Sequence, residues 1–418
     1  MSLKTSPWGR MIVLVDMNAF FASVEQVDHP EWQARPVAIT NGVLGSTIIT
    51  SSYEARAWGI KTGMRLKQAR ELCPELIRAP ARPERYAEVS TNIMHALTDL
   101  SPDVEVFSVD EAFIDMTGCQ HFWQSPEAIA LKVKECVNEA SGVLCSVGIS
   151  GDKTTAKYAA KLNKPDGIAV IPPWTAEARL SKVPVKELCG INHGIGNFLA
   201  ARGVLVCGDM KGIPISVLAQ RFGNPGRRIW LMAQGKDPEP LTISVPEPKS
   251  IGHGKVIPPN TKDKAVLDLF YLHMSEKVAA RLRKHALSSR QFYVGLYTEH
   301  GWKKDIMKTG IACNDGQTIF GLCKDFLKVH WFQGLGCFQV QVTALQPLPE
   351  QGQIDFIEMP DPKKAALNQA MDQVNSRYGE FCIAPAPLLN RSTMPNVIAP
   401  AWKPTGHRQT IEKTQGEH

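Results

Sequence analysis

Three carboxylates are spaced so that they could hold a divalent cation. Asp16 closes the continuous apolar run Met11-Ile-Val-Leu-Val-Asp16, and Asp110 and Glu111 are adjacent between Glu105-Val-Phe-Ser-Val109 and Ala112-Phe-Ile-Asp115. Neighbours on a regular strand face opposite ways, so Asp110 and Glu111 converge only where the chain bends, as at the join of two strands. Carboxylates held together raise one another's pKa, and a divalent cation removes that conflict. With Asp16 as a third member the donors are all oxygen, the set that Mg2+ prefers. Taken alone, the same residues also read as a solvated hairpin tip and a helix cap, because adjacent acids are common and short motifs need context.

The elements that must position these acids follow from the apolar pattern. The first run is short and β-branched, which predicts a strand buried on both faces. Asn18 reads as the N-cap of a helix through Phe20, Phe21 and Val24. Helical patterns over 84–100, 126–140 and 154–163 alternate with strand-like runs at 104–109, 112–116 and 144–149. This β-α-β-β-α-β order predicts a ferredoxin-like unit with one insertion after its first helix. Short helices with glycine punctuation follow from Pro172. A Pro- and acid-rich stretch then reads as a linker, and a further block mixes helical (265–287) with strand-like stretches (291–297, 338–345). After Pro347 the tail is weakly periodic and reads as partly disordered, apart from a helical stretch near 363–377.

The chain has 418 residues, 44% of them hydrophobic and 21% charged, which excludes wholesale disorder and leaves room for several domains. No run reaches the roughly 20 apolar residues of a membrane span. Met1 to Arg10 lacks the apolar core of a signal peptide, so the ten cysteines are expected in a reducing cytoplasm. No Cys-x-x-Cys pair argues for zinc, and no Gly-x4-Gly-Lys-Ser/Thr loop argues for a P-loop ATPase. Net charge is +6, unevenly spread: residues 1–246 carry 26 Lys+Arg against 25 Asp+Glu, residues 247–345 carry 14 against 8, and residues 346–418 carry 7 against 8. The excess therefore sits in one block, where it suits a polyanionic partner.

Four motifs in register, Asp16-Met-Asn-Ala-Phe-Phe21, Tyr53-Glu-Ala-Arg56, Ser108-Val-Asp-Glu111 and Lys164-Pro-Asp-Gly167, resemble the Y-family translesion DNA polymerases and, within them, the bacterial polymerase IV group. The resemblance covers about residues 10–345. It implies an α+β, multidomain right-hand polymerase. A ferredoxin-like palm would take 10–30 and 80–171, small fingers 31–79 and a helical thumb with a helix-hairpin-helix 172–236. A linker at 237–248 would lead to an α/β little finger at 249–345 and a tail at 346–418. It further implies two-metal nucleotidyl transfer with two Mg2+. Asp16 and Asp110 would bridge both ions, Glu111 would favour the ion that activates the primer hydroxyl, and the Met17 carbonyl would add a ligand. The activity implied is low-fidelity, template-directed addition of deoxynucleotides to a primer 3′-hydroxyl with release of pyrophosphate.

Tyr53 and Arg56, three apart, share a face if that stretch is helical and can present a hydroxyl and a guanidinium to triphosphate oxygens. Lys164, before a Pro-Asp-Gly turn, suits a further phosphate as a point charge. In the family, the position of Phe21 carries the ring under the incoming sugar, a steric gate against a 2′-hydroxyl; Phe20 reads as core. Leu188 to Gly196, with Gly190, Gly194 and Gly196, resembles the thumb hairpin whose amides grip a phosphate. It departs from the usual Gly-Ile-Gly at Asn192, leaving open which amides face the phosphate. Lys249 and Ser250 open the basic block as the little finger does, suiting it to hold DNA phosphates. Gln353, Ile354, Phe356 and Ile357 resemble a sliding-clamp-binding peptide, although the aromatic residue comes one place early. The expected partners are primer-template DNA, deoxynucleoside triphosphates and a sliding clamp, for a cytoplasmic monomer with no membrane contact. A non-catalytic polymerase-like scaffold is the alternative from another class, but it would not need all three acids. A palm-type nucleotide cyclase is disfavoured by the hairpin and the basic block.

Overall fold

The first apolar run forms strand β1 (Ile12–Met17), buried along its whole length. The computed structural model describes residues 8–41, 45–244, 248–349 and 362–391. These fall into two compact units that divide near residue 246.

In the first unit, α1 (Phe20–Asp28) follows β1. An insertion then supplies β2 (Val37–Thr40), β3 (Ile48–Ser51), α2 (Tyr53–Ala57), α3 (Leu66–Leu72) and β4 (Ile77–Pro80), whose strands make a small sheet in the order β3-β2-β4. The chain returns through α4 (Pro83–Thr98), β5 (Val104–Val106), β6 (Glu111–Asp115), α5 (Pro126–Ser141), β7 (Cys145–Ser150), α6 (Lys153–Leu162) and β8 (Ile168–Ile171). The main sheet has the order β5-β6-β1-β7-β8, with β1 antiparallel to both neighbours. This is the expected ferredoxin-like arrangement plus one parallel edge strand.

The two faces of β1 are used differently, as period-two alternation requires. Val13, Val15 and Met17 pack into the core with residues of α4 and α5, whereas Ile12 and Leu14 meet Phe113 of β6 and Ala156 and Ala160 of α6. Helix α6 approaches this face so closely that a Cβ at Gly148 would lie 2.2 Å from the Ala156 carbonyl oxygen. Glycine is therefore required there, and the close approach brings the lysines of α6 to the sheet. The unit continues through α7 (Pro173–Leu180), α8 (His193–Ala200), α9 (Ile215–Phe222) and α10 (Asn224–Met232), around their own small core.

The first part of the expected linker is anchored to this unit. The fully buried Asp237 side chain accepts from Arg228 (2.8 Å) and from the Thr154 hydroxyl (2.7 Å). The Thr242 amide donates to Glu105 at 2.8 Å.

The second unit is an antiparallel sheet, β11-β10-β12-β9, covered on one face by helices. Its elements are β9 (Ser250–Thr261), α11 (Lys264–Lys284), β10 (Leu287–Thr298), β11 (Gly301–Cys313), α12 (Gly316–His330), β12 (Cys337–Leu345) and the short β13 (Leu348–Pro349). Phe292, Val294 and Leu296 pack against Tyr271, Met274 and Phe326 of the helices. The tail returns as α13 (Pro362–Tyr378), one residue wider at each end than expected, and docks here. Asp372 accepts a fork from Arg283 (2.6 and 2.7 Å), Glu380 pairs with Lys277 (2.9 Å), and Leu388 is buried.

Candidate active site

Asp16 on β1 lies directly opposite Glu111 on β6 in the strand register, so the two side chains share the face toward α6. The turn over Phe107–Asp110 joins β5 to β6, with the Phe107 and Ser108 amides both donating to the Glu111 carbonyl (3.0 and 3.1 Å). That turn is the bend the sequence required, and the Asp110 carbonyl accepts from the Met17 amide at 2.9 Å. Asp16, Met17, Asp110 and Glu111 thus converge at one end of the two central strands.

Each carboxylate has a protein partner. Asp16 pairs with Lys164 at 2.5 Å, Glu111 accepts both its bonds from Lys157 (2.6 and 2.7 Å), and Asp110 accepts from the Ser108 hydroxyl at 2.5 Å. Turned toward these partners, the acids do not form a ready-made metal cluster, and among the described residues no other group of three ligating side chains does. Burial, opposed by Lys164 and reinforced by Glu111 and Asp110, pushes the Asp16 carboxyl up to about 6. Burial likewise raises Asp110, partly offset by the Ser108 hydroxyl. Three hard oxygen donors whose mutual repulsion raises a pKa are the donor set a divalent cation relieves, so these residues fit Mg2+.

Beside the acids lies a cavity of about 400 Å³, lined by Phe20, Phe21, Ile48, Thr50, Gly63 and Asp110. The ferredoxin-like sheet and the insertion therefore both contribute to it. Phe21 is half-buried and stacks on Tyr86 (centroids 4.4 Å, planes 14° apart), while Phe20 is buried in the core, as expected. The hydroxyl of fully buried Tyr86 donates to Glu25 at 2.7 Å, and Glu25 is forked by Arg82 at 2.9 and 2.7 Å. A ring at the cavity wall is thus backed by a second ring, which the buried Glu25 carboxylate, paired with the partly exposed Arg82, holds in place.

Tyr53 and Arg56 fall on α2, the Arg56 guanidinium lying 4.7 Å from the centre of the Tyr53 ring. Arg56 also donates to the Ser51 carbonyl at 3.0 Å. Tyr53 lines a second cavity, of about 330 Å³, together with Asn18 and Pro165, the residue after Lys164. Lys164 points to Asp16 in this arrangement.

One local expectation is corrected. Asn18 is not the cap of α1: Ala19 takes that position in a left-handed conformation (φ 46°) without a side-chain cap bond. That backbone turns the Asn18 side chain inward, where its Oδ1 accepts from the Ser146 hydroxyl at 3.0 Å and its Nδ2 is buried without a protein partner. In the glycine-rich hairpin the positive φ falls at Gly190 (86°), whereas Asn192 is extended and caps α8 by accepting from the Ile195 amide at 3.0 Å. Gly194 and Gly196 lie in the first turn of α8, leaving the His193 and Gly194 amides at its head. Lys249 and Ser250 are exposed where β9 begins in the second unit. Gln353, Ile354, Phe356 and Ile357 lie outside the described residues.

Sequence reasoning missed Lys157, Ser108 and Tyr86. Ser108 opens the Ser108-Val-Asp-Glu111 motif. Lys157 recurs four residues from both Lys153 and Lys161, a helical stripe that could have pointed to facing acids.

A ferredoxin-like palm with acids at its central strand ends, an inserted fingers sheet, a glycine-hairpin thumb and a separate sheet-and-helix unit make a right-hand polymerase fold. A solved Y-family DNA polymerase chimera of Dbh and Dpo4 superposes with a TM-score of 0.70 at 24% identity, covering 81% of this chain and 99% of that one. The impB/mucB/samB family matches over residues 15–161 and its C-terminal domain over 248–356. The DNA polymerase IV of Moorella thermoacetica is 33% identical over 379 residues, 89% of this chain and 94% of that protein. That of Pelotomaculum thermopropionicum is 30% identical over 377 residues, with the same two shares. The chain belongs to the impB/mucB/samB family of Y-family DNA polymerases. Among the described residues no helix is long and apolar enough to cross a membrane.

Proposed function

We infer that the protein is a DNA-directed DNA polymerase of the translesion type, adding deoxynucleotides to a primer 3′-hydroxyl with low fidelity. The observation that carries this reading is the register pairing of Asp16 with Glu111, with Asp110 at the adjoining turn, beside a cavity walled by Phe21. Asp16, Asp110, Glu111 and the Met17 carbonyl would hold two Mg2+ ions. Such ions lower the pKa of the attacking hydroxyl and stabilise charge on the α-phosphate and the leaving pyrophosphate. Lys164 exchanges its Asp16 partner for a phosphate oxygen, and the Tyr53 hydroxyl with the Arg56 guanidinium binds others. Phe21, held against Tyr86, excludes a 2′-hydroxyl. The hairpin around Gly190, Gly194 and Gly196 and the basic second unit, opening at Lys249 and Ser250, hold duplex phosphates without reading sequence. On this reading the palm takes 10–30 and 80–171, the fingers 31–79, the thumb 172–236, a linker 237–248, the little finger 249–345 and a tail 346–418. Gln353 to Ile357 would tether the chain, as a cytoplasmic monomer, to a sliding clamp.

Primer extension with Mg2+ on undamaged and lesion-bearing templates, run beside Asp110→Ala, tests the reading. Extension by the unmodified protein alone supports it. No extension by the unmodified protein, or equal extension by the variant, overturns it.

A further inference from the structure

One face of the second unit's sheet is covered by α11 and α12; the other is open and carries aromatic rings. Because Phe292, Val294 and Leu296 point into the core, the alternate residues Tyr293, Gly295 and Tyr297 of β10 lie on the open face. The register sets Trp302 of β11 beside Tyr297, and Lys304 beside Gly295. Tyr297 and Trp302 are 41% and 42% exposed, with ring centres 5.4 Å apart. Gly295 leaves a gap between rings: a Cβ there would come within 2.9 Å of Tyr293 and 3.2 Å of Trp302. Rings that lean over a strand glycine protect it, which accounts for their inner edges. It does not account for two large rings left two-fifths exposed side by side.

The company these rings keep narrows the partner. Lys304 and, further along β11 opposite Gln291, Lys308 stand on the same face and supply positive charge. Gln339 and Gln341, on the other flank, offer amides that both donate and accept. A flat π-surface, an anionic backbone and edges with mixed hydrogen-bonding groups meet in an unpaired nucleobase on a DNA strand. Paired bases inside a duplex are stacked on both faces and cannot present themselves to a ring. We propose that Tyr297 and Trp302 form a stacking platform for unpaired DNA bases. The platform adds a base-dependent, salt-insensitive part to the phosphate-holding role given above to the second unit, on which it rests.

The test uses the full chain and two oligonucleotides of equal length, a deoxythymidine 16-mer and its abasic counterpart, with binding followed by anisotropy over a salt series. The unmodified protein binds the base-bearing strand more tightly at every salt concentration. Trp302→Leu and Tyr297→Leu each lower that preference by about fivefold, the low end of base–aromatic stacking, and leave the salt slope unchanged. Trp302→Phe, which keeps a ring, retains most of the preference and separates stacking from a folding defect. An undiminished preference in both leucine variants overturns the platform. Lys304→Gln with Lys308→Gln should weaken both oligonucleotides alike and flatten the salt slope by about 0.7 for each phosphate no longer neutralised. An unchanged slope, with the preference intact, would instead remove the phosphate-holding role of these lysines and leave the stacking standing.

Discussion

Tyr86 touches Phe21 with its ring and Glu25 with its hydroxyl, so two substitutions there should separate stability from sugar choice. Tyr86→Phe removes one hydrogen bond to a buried carboxylate, about 1.5–3 kcal/mol for a bond to a charged group. Glu25 keeps the Arg82 fork, so no charge is left unpaired. At about 2–4 °C per kcal/mol for a domain of some 200 residues, the melting temperature of the first unit should fall by roughly 3–12 °C. The discrimination against ribonucleotides should not change, because the ring under Phe21 remains. Tyr86→Leu removes the ring as well, which forfeits the stacked contact and opens a cavity, costing about 3–5 kcal/mol in all. Phe21 can then settle into the vacated space, and ribonucleotide incorporation should rise although Phe21 itself is intact. The assay is single-nucleotide insertion with matched deoxy- and ribonucleotides, read beside thermal melts, with Phe21→Ala as the reference for a lost gate. If Tyr86→Leu loses stability yet keeps the unmodified sugar preference, Tyr86 is not what holds Phe21. If Phe21→Ala keeps it too, Phe21 is not the gate.

Lys157 holds both oxygens of Glu111 and lies 4.4 Å from the centre of the Phe107 ring, so it acts as a positioning residue. Lys157→Met should lower kcat with little change in KM for the nucleotide, and Lys157→Arg should restore part of the loss; a rise in KM alone would refute the role. In the second unit, His273 is buried, beside Lys277, Lys255, His253 and Arg391 and against the Phe381 ring, and burial followed by these basic side chains pushes its pKa down to about 3. A histidine with a folded pKa below its unfolded 6.5 gives stability that is complete above 6.5 and lost as pH falls toward 3. At pH 5 the loss should be about 2 kcal/mol, and it should shrink in His273→Gln when urea midpoints at pH 7 and 5 are compared.

What the sequence discloses depends on whether the signal is local. Asp16 at a strand end, Asp110 and Glu111 at a bend, and Phe21 on the next helix are each specified by a few residues, and the fold gathers them. The partners that hold them come from far along the chain: Tyr86 reaches Glu25 across 61 positions and Lys157 reaches Glu111 across 46. No short window contains both members of either pair. Strand β11 escapes a sequence reading for a related reason. With one face open, Trp302-Lys-Lys-Asp-Ile-Met-Lys308 keeps only Met307 packed against the core, so its alternation is hidden among charges. Strand β9, with two prolines and two glycines in twelve residues, lacks a strand's usual composition and takes its form from pairing with β12.

The lysines beside the acids show why local reading finds the ligands but not their setting. An acid buried between strands must be compensated in whatever state the protein occupies, and here Lys157 and Lys164 do so from α6 and the turn beyond it. Their reach depends on α6 lying almost on the sheet, which depends in turn on Gly148 having no side chain. Substituting Gly148 would push α6 outward and draw the ammonium groups off the carboxylates. The site is therefore specified by a glycine on a strand that bears no functional group, as much as by the acids themselves.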